Sequence, residues 1–472
     1  MVDRLSALDA SFLHLEDHTT PMHVGGVAVF ERPAHGLDYD DMLAAVRRGL
    51  RDAPRYRQKV VRLPGFVGRP VWADDPDFDL RYHVRRSVLP EPGEDEQLYE
   101  LTQRLMSRKL DTTRPLWELH LVEGLSRGRV AVITKTHQAM IDGVGAIDLG
   151  QLILDTTPER GLARSEDRWS PAPVPGFAGL VASAVEEALN QPGELTENLR
   201  TAATGARVAL RRMTGVLGGV CSTLAAALTP SPSGTLNAPT SAHRRFAVAR
   251  GRLEDFRAVH HRHGGTVDGV ILTALAGALR TWLLWRGEAV TARTTVRALV
   301  PVPVDEGMPE IRGSEETGRP FERVAARLVD LPVGEPDPLV RLYQVGYAMR
   351  ARQDTGRPVT VRALLRLSGF APTTLHALGA RVAGGLSDRL FNLLVTSAAG
   401  PQAPLYGAGA LMEEIFPVVP LMRNQSLAIG ITSYNGGVFI GLNADRAAVP
   451  DVNVLAAMIE ESVEEMIGTV GR

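Results

Sequence analysis

The amino-acid sequence predicts an α/β protein built from two halves. Stretches with the period-2 alternation of strands follow stretches with apolar residues every three or four positions, as in helices. Residues 115–122 place Trp117, Leu119 and Leu121 on one face of a strand, whereas residues 39–52 have helical spacing. The two periods occur on both sides of a central segment of different composition, which we interpret as a crossover that joins two halves.

That central segment contains prolines that bracket loops and further helical stretches between them. We therefore predict an N-terminal domain over residues 1–160, a helical or flexible crossover over 161–240, and a C-terminal domain over 241–472.

The individual elements follow from the same two periods. Strands are predicted where β-branched and apolar residues alternate between turn residues, and helices where the apolar spacing is three or four. The predicted strands are 21–30, 78–84, 115–122, 130–133, 300–304, 323–333, 391–397, 415–420, 427–434 and 438–443, and the predicted helices include 39–52, 98–110, 266–285, 342–352 and 451–467.

Composition excludes several classes of function. The chain has 472 residues, 44% of them hydrophobic and 22% charged, which is ordinary for a globular protein with a large core. A formal net charge of −2 gives no electrostatic case for nucleic acid. Cys221 is the single cysteine and cannot form an internal disulfide, which fits a cytoplasmic location.

A membrane contact is an alternative for one segment. Residues 213–229 carry no charge but fall short of the roughly 20 apolar residues that a spanning helix needs. Arg207, Arg211 and Arg212 precede them and could meet anionic headgroups. A helix packed on the protein is favoured, and peripheral contact with a membrane or lipid droplet stays open.

Three histidines, His260, His261 and His263, suggest a metal site at first sight. No cysteine or carboxylate is placed nearby to complete a tetrahedral set. All three would lie at the end of a helix that Gly264 terminates, where a cationic side chain favours the helix dipole. We therefore predict no metal site.

Residues 129–149 carry the main candidate site. They begin as an apolar strand, continue through a polar crossing that contains His137, Gln138, Asp142 and Gly143, and are predicted to end in a helix that runs past Leu149. A strand that delivers a histidine to its end can present a base at a cleft. The alternative is a strand–turn–helix in which Asp142 is a cap and His137 a half-buried strand-end residue.

Residues 137–143 resemble the His-His-x-x-x-Asp-Gly motif of acyl-CoA-dependent acyltransferases with the chloramphenicol acetyltransferase-like fold. With Thr134-Lys135-Thr136 in front, they resemble the bacterial wax ester synthase/diacylglycerol acyltransferase family. Residues 115–117, Pro-Leu-Trp, are similar to a second signature of that family, and the resemblance is collinear from about residue 4 to 465.

The resemblance implies two chloramphenicol acetyltransferase-like α/β halves, a helical crossover and an active-site channel between the halves. It implies an enzyme that makes triacylglycerol from diacylglycerol, or wax esters from long-chain alcohols, with acyl-CoA as co-substrate and no other cofactor. By the same resemblance His137 is a supporting histidine, Asp142 has a structural role, Gly143 completes the motif, and Gln138 occupies the slot of the proton acceptor.

That glutamine departs from the family's pattern, which has a second histidine at this position. Further departures are Asp268-Gly269, Phe321-Glu322 and Ser397. Three hypotheses follow. Either His137 or a water held by Gln138 replaces the base, or the chain binds acyl-CoA or neutral lipid with little turnover, or it acylates a different acceptor, as condensation domains of similar fold do.

Overall fold

Two hydrophobic cores organise the computed structural model. It describes residues 3–31, 37–62, 69–141, 149–150, 152–158, 169–173, 176, 179, 234–303, 324–354 and 391–471. One core lies mostly in the N-terminal half and the other in the C-terminal half, and each contains fully buried aliphatic and aromatic side chains.

The helices and strands have the following bounds. The helices are α1 (Ala7–Leu15), α2 (Tyr39–Gly49), α3 (Leu80–His83), α4 (Asp95–Ser107), α5 (Leu253–His263), α6 (Val267–Trp285), α7 (Pro338–Asp354) and α8 (Val452–Ile467). The strands are β1 (Asp3–Arg4), β2 (His23–Phe30), β3 (Gln58–Val61), β4 (Val71–Asp74), β5 (Val84–Val88), β6 (Trp117–Glu123), β7 (Val130–His137), β8 (Leu154–Asp155), β9 (Arg244–Arg252), β10 (Val296–Pro303), β11 (Val324–Leu331), β12 (Leu393–Ala399), β13 (Tyr406–Gly407), β14 (Ala410–Val418), β15 (Leu427–Tyr434) and β16 (Gly437–Asp445).

The larger sheet contains strands from both ends of the chain. Within the described ranges it has seven strands in the order β5-β6-β7-β2-β14-β13-β8. Its centre is antiparallel, with β2 between β7 and β14. Although β13 and β14 belong to the C-terminal half in sequence, they complete the N-terminal sheet.

A second sheet of six described strands forms the C-terminal half, in the order β11-β10-β12-β15-β16-β9. Strands β15 and β16 form the hairpin that the sequence predicts, and Asn435 and Gly436 in its turn both have positive φ. A small three-stranded sheet, β1-β4-β3, completes the described strands.

Helix α6 is long and apolar enough to cross a membrane, and no other helix among the described residues meets that test. Buried residues make up 72% of its apolar window, and it packs against α8 and α7. It begins at the N-cap Thr266, whose hydroxyl accepts the Gly269 N–H, and ends at Trp285 as predicted. We therefore interpret its apolar residues as part of the protein core.

Two predicted elements are wrong. Residues 80–83 form the helical turn α3 instead of a strand, because the Asp79 side chain accepts the Arg81 N–H and starts a turn there. The predicted helix that runs past Leu149 is also wrong: Leu152 and Ile153 lie in a turn, and β8 follows. These residues are buried by packing on the N-terminal core, so their apolar spacing did not reflect a helix.

Candidate active site

Strand β7 delivers His137 to its end, as the sequence predicts, and a tight turn follows at once. His137 pairs with His23 across β2 and β7. The turn Gln138–Met140 is a single 3₁₀ turn, and the His137 side chain caps it, because its Nδ1 accepts the Ala139 N–H at 3.0 Å. The Gln138 N–H is donated to Met22 O at 2.8 Å.

His137 is sealed inside the protein. It is 1% exposed, and burial, followed by the charges of Lys109 and Arg62, lowers its pKa to about 3. Since Nδ1 accepts a hydrogen bond, the neutral ring carries its proton on Nε2. Among the residues that the structure describes, that Nε2 has no hydrogen-bond partner, and it lies 3.8 Å from the carboxylate of Glu16.

Gln138 is the accessible member of the pair. It is half-buried, whereas His137 is closed off from solvent. A carboxamide donates and accepts hydrogen bonds but does not act as a base near neutral pH. The described turn therefore presents a polar, non-basic side chain where the resemblance expects a proton acceptor.

Asp142 and Gly143 lie outside the described residues, so their predicted roles stay predictions. The same is true of Phe321-Glu322 and of the uncharged segment 213–229. Among the described residues, no group of three His, Cys, Asp or Glu side chains could hold a metal ion. The three histidines of α5 lie in its last turn, next to Gly264 with φ of 80°, as predicted.

A polar cluster of Glu16, His23, Lys109 and His137 lies next to the turn. The sequence did not predict it. Glu16 lies 3.5 Å from His23 Nε2 through Oε1 and 3.9 Å from Lys109 Nζ through Oε2, in addition to its contact with His137. Its pKa is raised by burial, which the Lys109 charge opposes. The members are distant in sequence, and the register of β2 on β7 brings them together.

Lys135 adds an unusual buried cation to this strand. It is 1% exposed, and its ammonium donates to Arg108 O at 2.5 Å. Burial lowers its pKa to about 8, although the charge of Glu118 opposes that shift. Strand β7, which carries His137, is thus also held by a buried polar contact at Lys135.

Two departures from the family's pattern contact each other. The Ser397 hydroxyl donates to Asp268 Oδ1 at 2.9 Å and joins β12 to the first turn of α6. Both residues are exposed. The contact shows that these two departures form a local pair.

Comparisons with known proteins identify the family to which the sequence is similar. The catalytic domain of the wax ester synthase/diacylglycerol acyltransferase family matches residues 5–271, and the family's C-terminal domain matches residues 322–467. A probable diacylglycerol O-acyltransferase of Mycobacterium tuberculosis, Tgs3, is 47% identical over 267 residues, which are 56% of this chain and 97% of that protein. A second one, Tgs1, is 30% identical and covers 99% of this chain and 96% of its own.

Solved structures confirm the predicted architecture of two chloramphenicol acetyltransferase-like halves. The wax ester synthase/diacylglycerol acyltransferase from Marinobacter aquaeolei VT8 is 26% identical, with a TM-score of 0.70 over the whole of both chains. The starter condensation domain of rhizomide synthetase, 14% identical with a TM-score of 0.56 over all of this chain and 95% of its own, shares the fold alone. The chain belongs to the wax ester synthase/diacylglycerol acyltransferase family.

Proposed function

We propose that this protein is an acyl-CoA-dependent O-acyltransferase that makes triacylglycerol from diacylglycerol, wax esters from long-chain alcohols, or both. The family match in both halves carries this proposal, and the collinear fold supports it. Acyl-CoA is the co-substrate that the family's chemistry requires.

The reaction joins the acceptor hydroxyl to the acyl carbonyl. The hydroxyl oxygen attacks the thioester carbon, the oxyanion collapses, and the carbon–sulfur bond breaks with release of the CoA thiolate. The hydroxyl proton ends on that sulfur, so the products are the ester and CoA. Hydrogen-bond donors near the carbonyl and a group that moves the proton would both accelerate these steps.

Gln138 limits the transfer of the hydroxyl proton, because a carboxamide does not act as a base near neutral pH. We infer that His137 does not replace the missing base, because it is buried and its Nδ1 caps the turn, which leaves the ring proton on Nε2. We therefore propose that Gln138 holds a water molecule that relays the proton to the leaving sulfur. Positioning and oxyanion stabilisation would then supply most of the rate.

Restoring histidine at residue 138 tests this role. We expect Gln138→His to raise kcat roughly 10- to 1000-fold, because general-base catalysis contributes on the order of 10²–10⁴ and the proposed water relay already supplies part of that gain. The assay follows labelled acyl-CoA with diacylglycerol, with a long-chain alcohol, and without acceptor to detect thioester hydrolysis. Gln138→Ala is the control and is expected to be slower than wild type.

The result separates the remaining hypotheses. A folded Gln138→His variant with no gain would contradict the assignment of residue 138 to the base's slot. If the wild type and Gln138→His both bind acyl-CoA measurably but transfer no acyl group, a binding role would be favoured over catalysis.

We also propose that the protein acts in the cytoplasm and contacts a lipid surface peripherally, since its acceptors partition into lipid. Co-sedimentation of the purified protein with anionic liposomes, compared with neutral ones, tests this. Equal recovery in the supernatant with and without liposomes would argue against it.

A further inference from the structure

Glu16 is the residue through which the described polar contacts beneath the turn converge. It is the C-cap of α1, and its backbone N–H is donated to Phe12 O. The next residue, Asp17, accepts hydrogen bonds from the backbone and hydroxyl groups of Thr19 and Thr20, which fold the chain back toward β2. The Glu16 side chain is only 8% exposed.

Two chains of contact connect this carboxylate to residue 138. In the first, Glu16 Oε1 accepts the Met22 N–H at 3.3 Å, and Met22 O accepts the Gln138 N–H at 2.8 Å. In the second, Glu16 Oε2 faces His137 Nε2 at 3.8 Å, and His137 Nδ1 accepts the Ala139 N–H. One carboxylate thus contacts both groups that accept the first two backbone N–H groups of the turn, those of Gln138 and Ala139.

The second chain also selects one form of the imidazole. A carboxylate that faces Nε2 favours the tautomer with the proton on that nitrogen, and this leaves Nδ1 free to accept from the backbone. The opposite tautomer would present an N–H to the Ala139 N–H and break the cap. The charge on Glu16 therefore contributes to the conformation of the turn.

We propose that Glu16 is a positioning residue of the acyl-transfer site, which holds the Gln138–Met140 turn in place through Met22 and His137. The proposal rests on the proposed function only for the role in acyl transfer that it gives to this turn. The placement of the turn can be measured without any substrate.

Amide hydrogen–deuterium exchange provides that measurement. In Glu16→Gln, which keeps the size of the side chain, we expect faster exchange in the peptide that covers residues 137–141. Without the negative charge, the His137 tautomer that caps Ala139 is no longer favoured, and the acceptor of the Met22 N–H is weaker. Glu31→Gln, a carboxylate at the exposed end of β2, is the matched control and is expected to leave that peptide unchanged.

Activity then distinguishes positioning from general stability. We expect Glu16→Gln to lower kcat about tenfold to a hundredfold with little change in the KM for acyl-CoA. The same substitution should have little further effect in a Gln138→Ala background, since the side chain that it positions is gone. Glu16→Asp, which keeps the charge, should recover part of the rate and serves if Glu16→Gln does not fold.

Unchanged exchange in the 137–141 peptide would overturn the proposal whatever the activity. An equal loss of kcat in the wild-type and Gln138→Ala backgrounds would also overturn it. Faster exchange with no acyl transfer in any variant, Gln138→His included, would instead refute the proposed function and leave the support of the turn by Glu16 intact.

Discussion

At the scale of single residues, His137 shows why a motif position and its chemical role must be separated. The residue is at the strand end that the motif predicts, but burial and the Ala139 hydrogen bond make it a cap. A histidine whose pKa is lowered in the folded state stays neutral where the unfolded chain takes up a proton. Its effect on stability is therefore confined to acid pH.

This gives a pH prediction with a definite sign. Between pH 6.5 and about 3 the unfolded chain binds a proton at residue 137 that the folded chain does not bind. The free energy of unfolding should therefore fall as the pH falls through this window. His137→Gln, which keeps an acceptor for the Ala139 N–H, should make the decline shallower in urea unfolding measured from pH 7 to pH 4.

The control is His18→Gln, at an exposed histidine that lies outside the helices. Its unfolding curve should still show the decline that His137 causes. His23 is buried in the same cluster, and burial lowers its pKa as well, so part of the decline should persist in His137→Gln. Identical slopes for wild type and His137→Gln would show that His137 does not stay neutral in the folded protein.

At the scale of elements, the local sequence pattern predicted a helix or strand correctly where the residues of that element determine its structure. The hairpin β15–β16, the strand β6 and the helix α6 were predicted because alternation, turn residues and a capping threonine all agree. The turn at α3 was missed because a single hydrogen bond from the Arg81 N–H to the Asp79 carboxylate outweighs the alternation around it. The site turn was predicted in position, but its support by Glu16 depends on the pairing of distant strands.

The pair Asp268 and Ser397 gives a prediction at this scale. Its hydrogen bond connects α6 to β12, and an exposed bond to a carboxylate contributes about 0.5–1.5 kcal/mol. Ser397→Ala and Asp268→Asn should each destabilise the protein slightly, and the double variant should cost less than the sum. Urea unfolding of the four proteins measures the coupling, and strictly additive effects would mean that the bond contributes nothing in solution.

At the scale of the whole molecule, the two halves interlock through β14. This strand leaves the C-terminal half, pairs with β2, and brings Pro417 against Gly430 and Gly441 of the second sheet. Across the same boundary, Arg250 of β9 makes a bidentate pair with Glu414 and donates to the Tyr99 hydroxyl of α4. No local pattern predicts this exchange of strands, because the pairing partners are far apart in sequence.

The interlock predicts that a single methyl group will disturb both halves. A Cβ at Gly441 would lie 1.9 Å from Pro417 O, so the backbone of β14 or β16 must move. Gly441→Ala should therefore destabilise the protein by about 1–3 kcal/mol, the usual range for overpacking. Since β14 borders β2, and Met22 directly before β2 accepts the Gln138 N–H, the substitution should also lower acyl-transfer activity.

Gly346→Ala is the matched control, because that glycine lies within α7. Of the atoms that the structure describes, an added Cβ would approach only the end of the Arg350 side chain, at 3.7 Å. Alanine is the better helix former by about 1 kcal/mol, so this variant should be as stable as wild type or more stable. Thermal unfolding and the acyl-transfer assay on both variants measure the difference. A Gly441→Ala protein with wild-type stability would mean that the two sheets move apart at Pro417 at little cost in free energy. Wild-type acyl-transfer activity in the same variant would mean that the function of residue 138 does not depend on the contact between the halves.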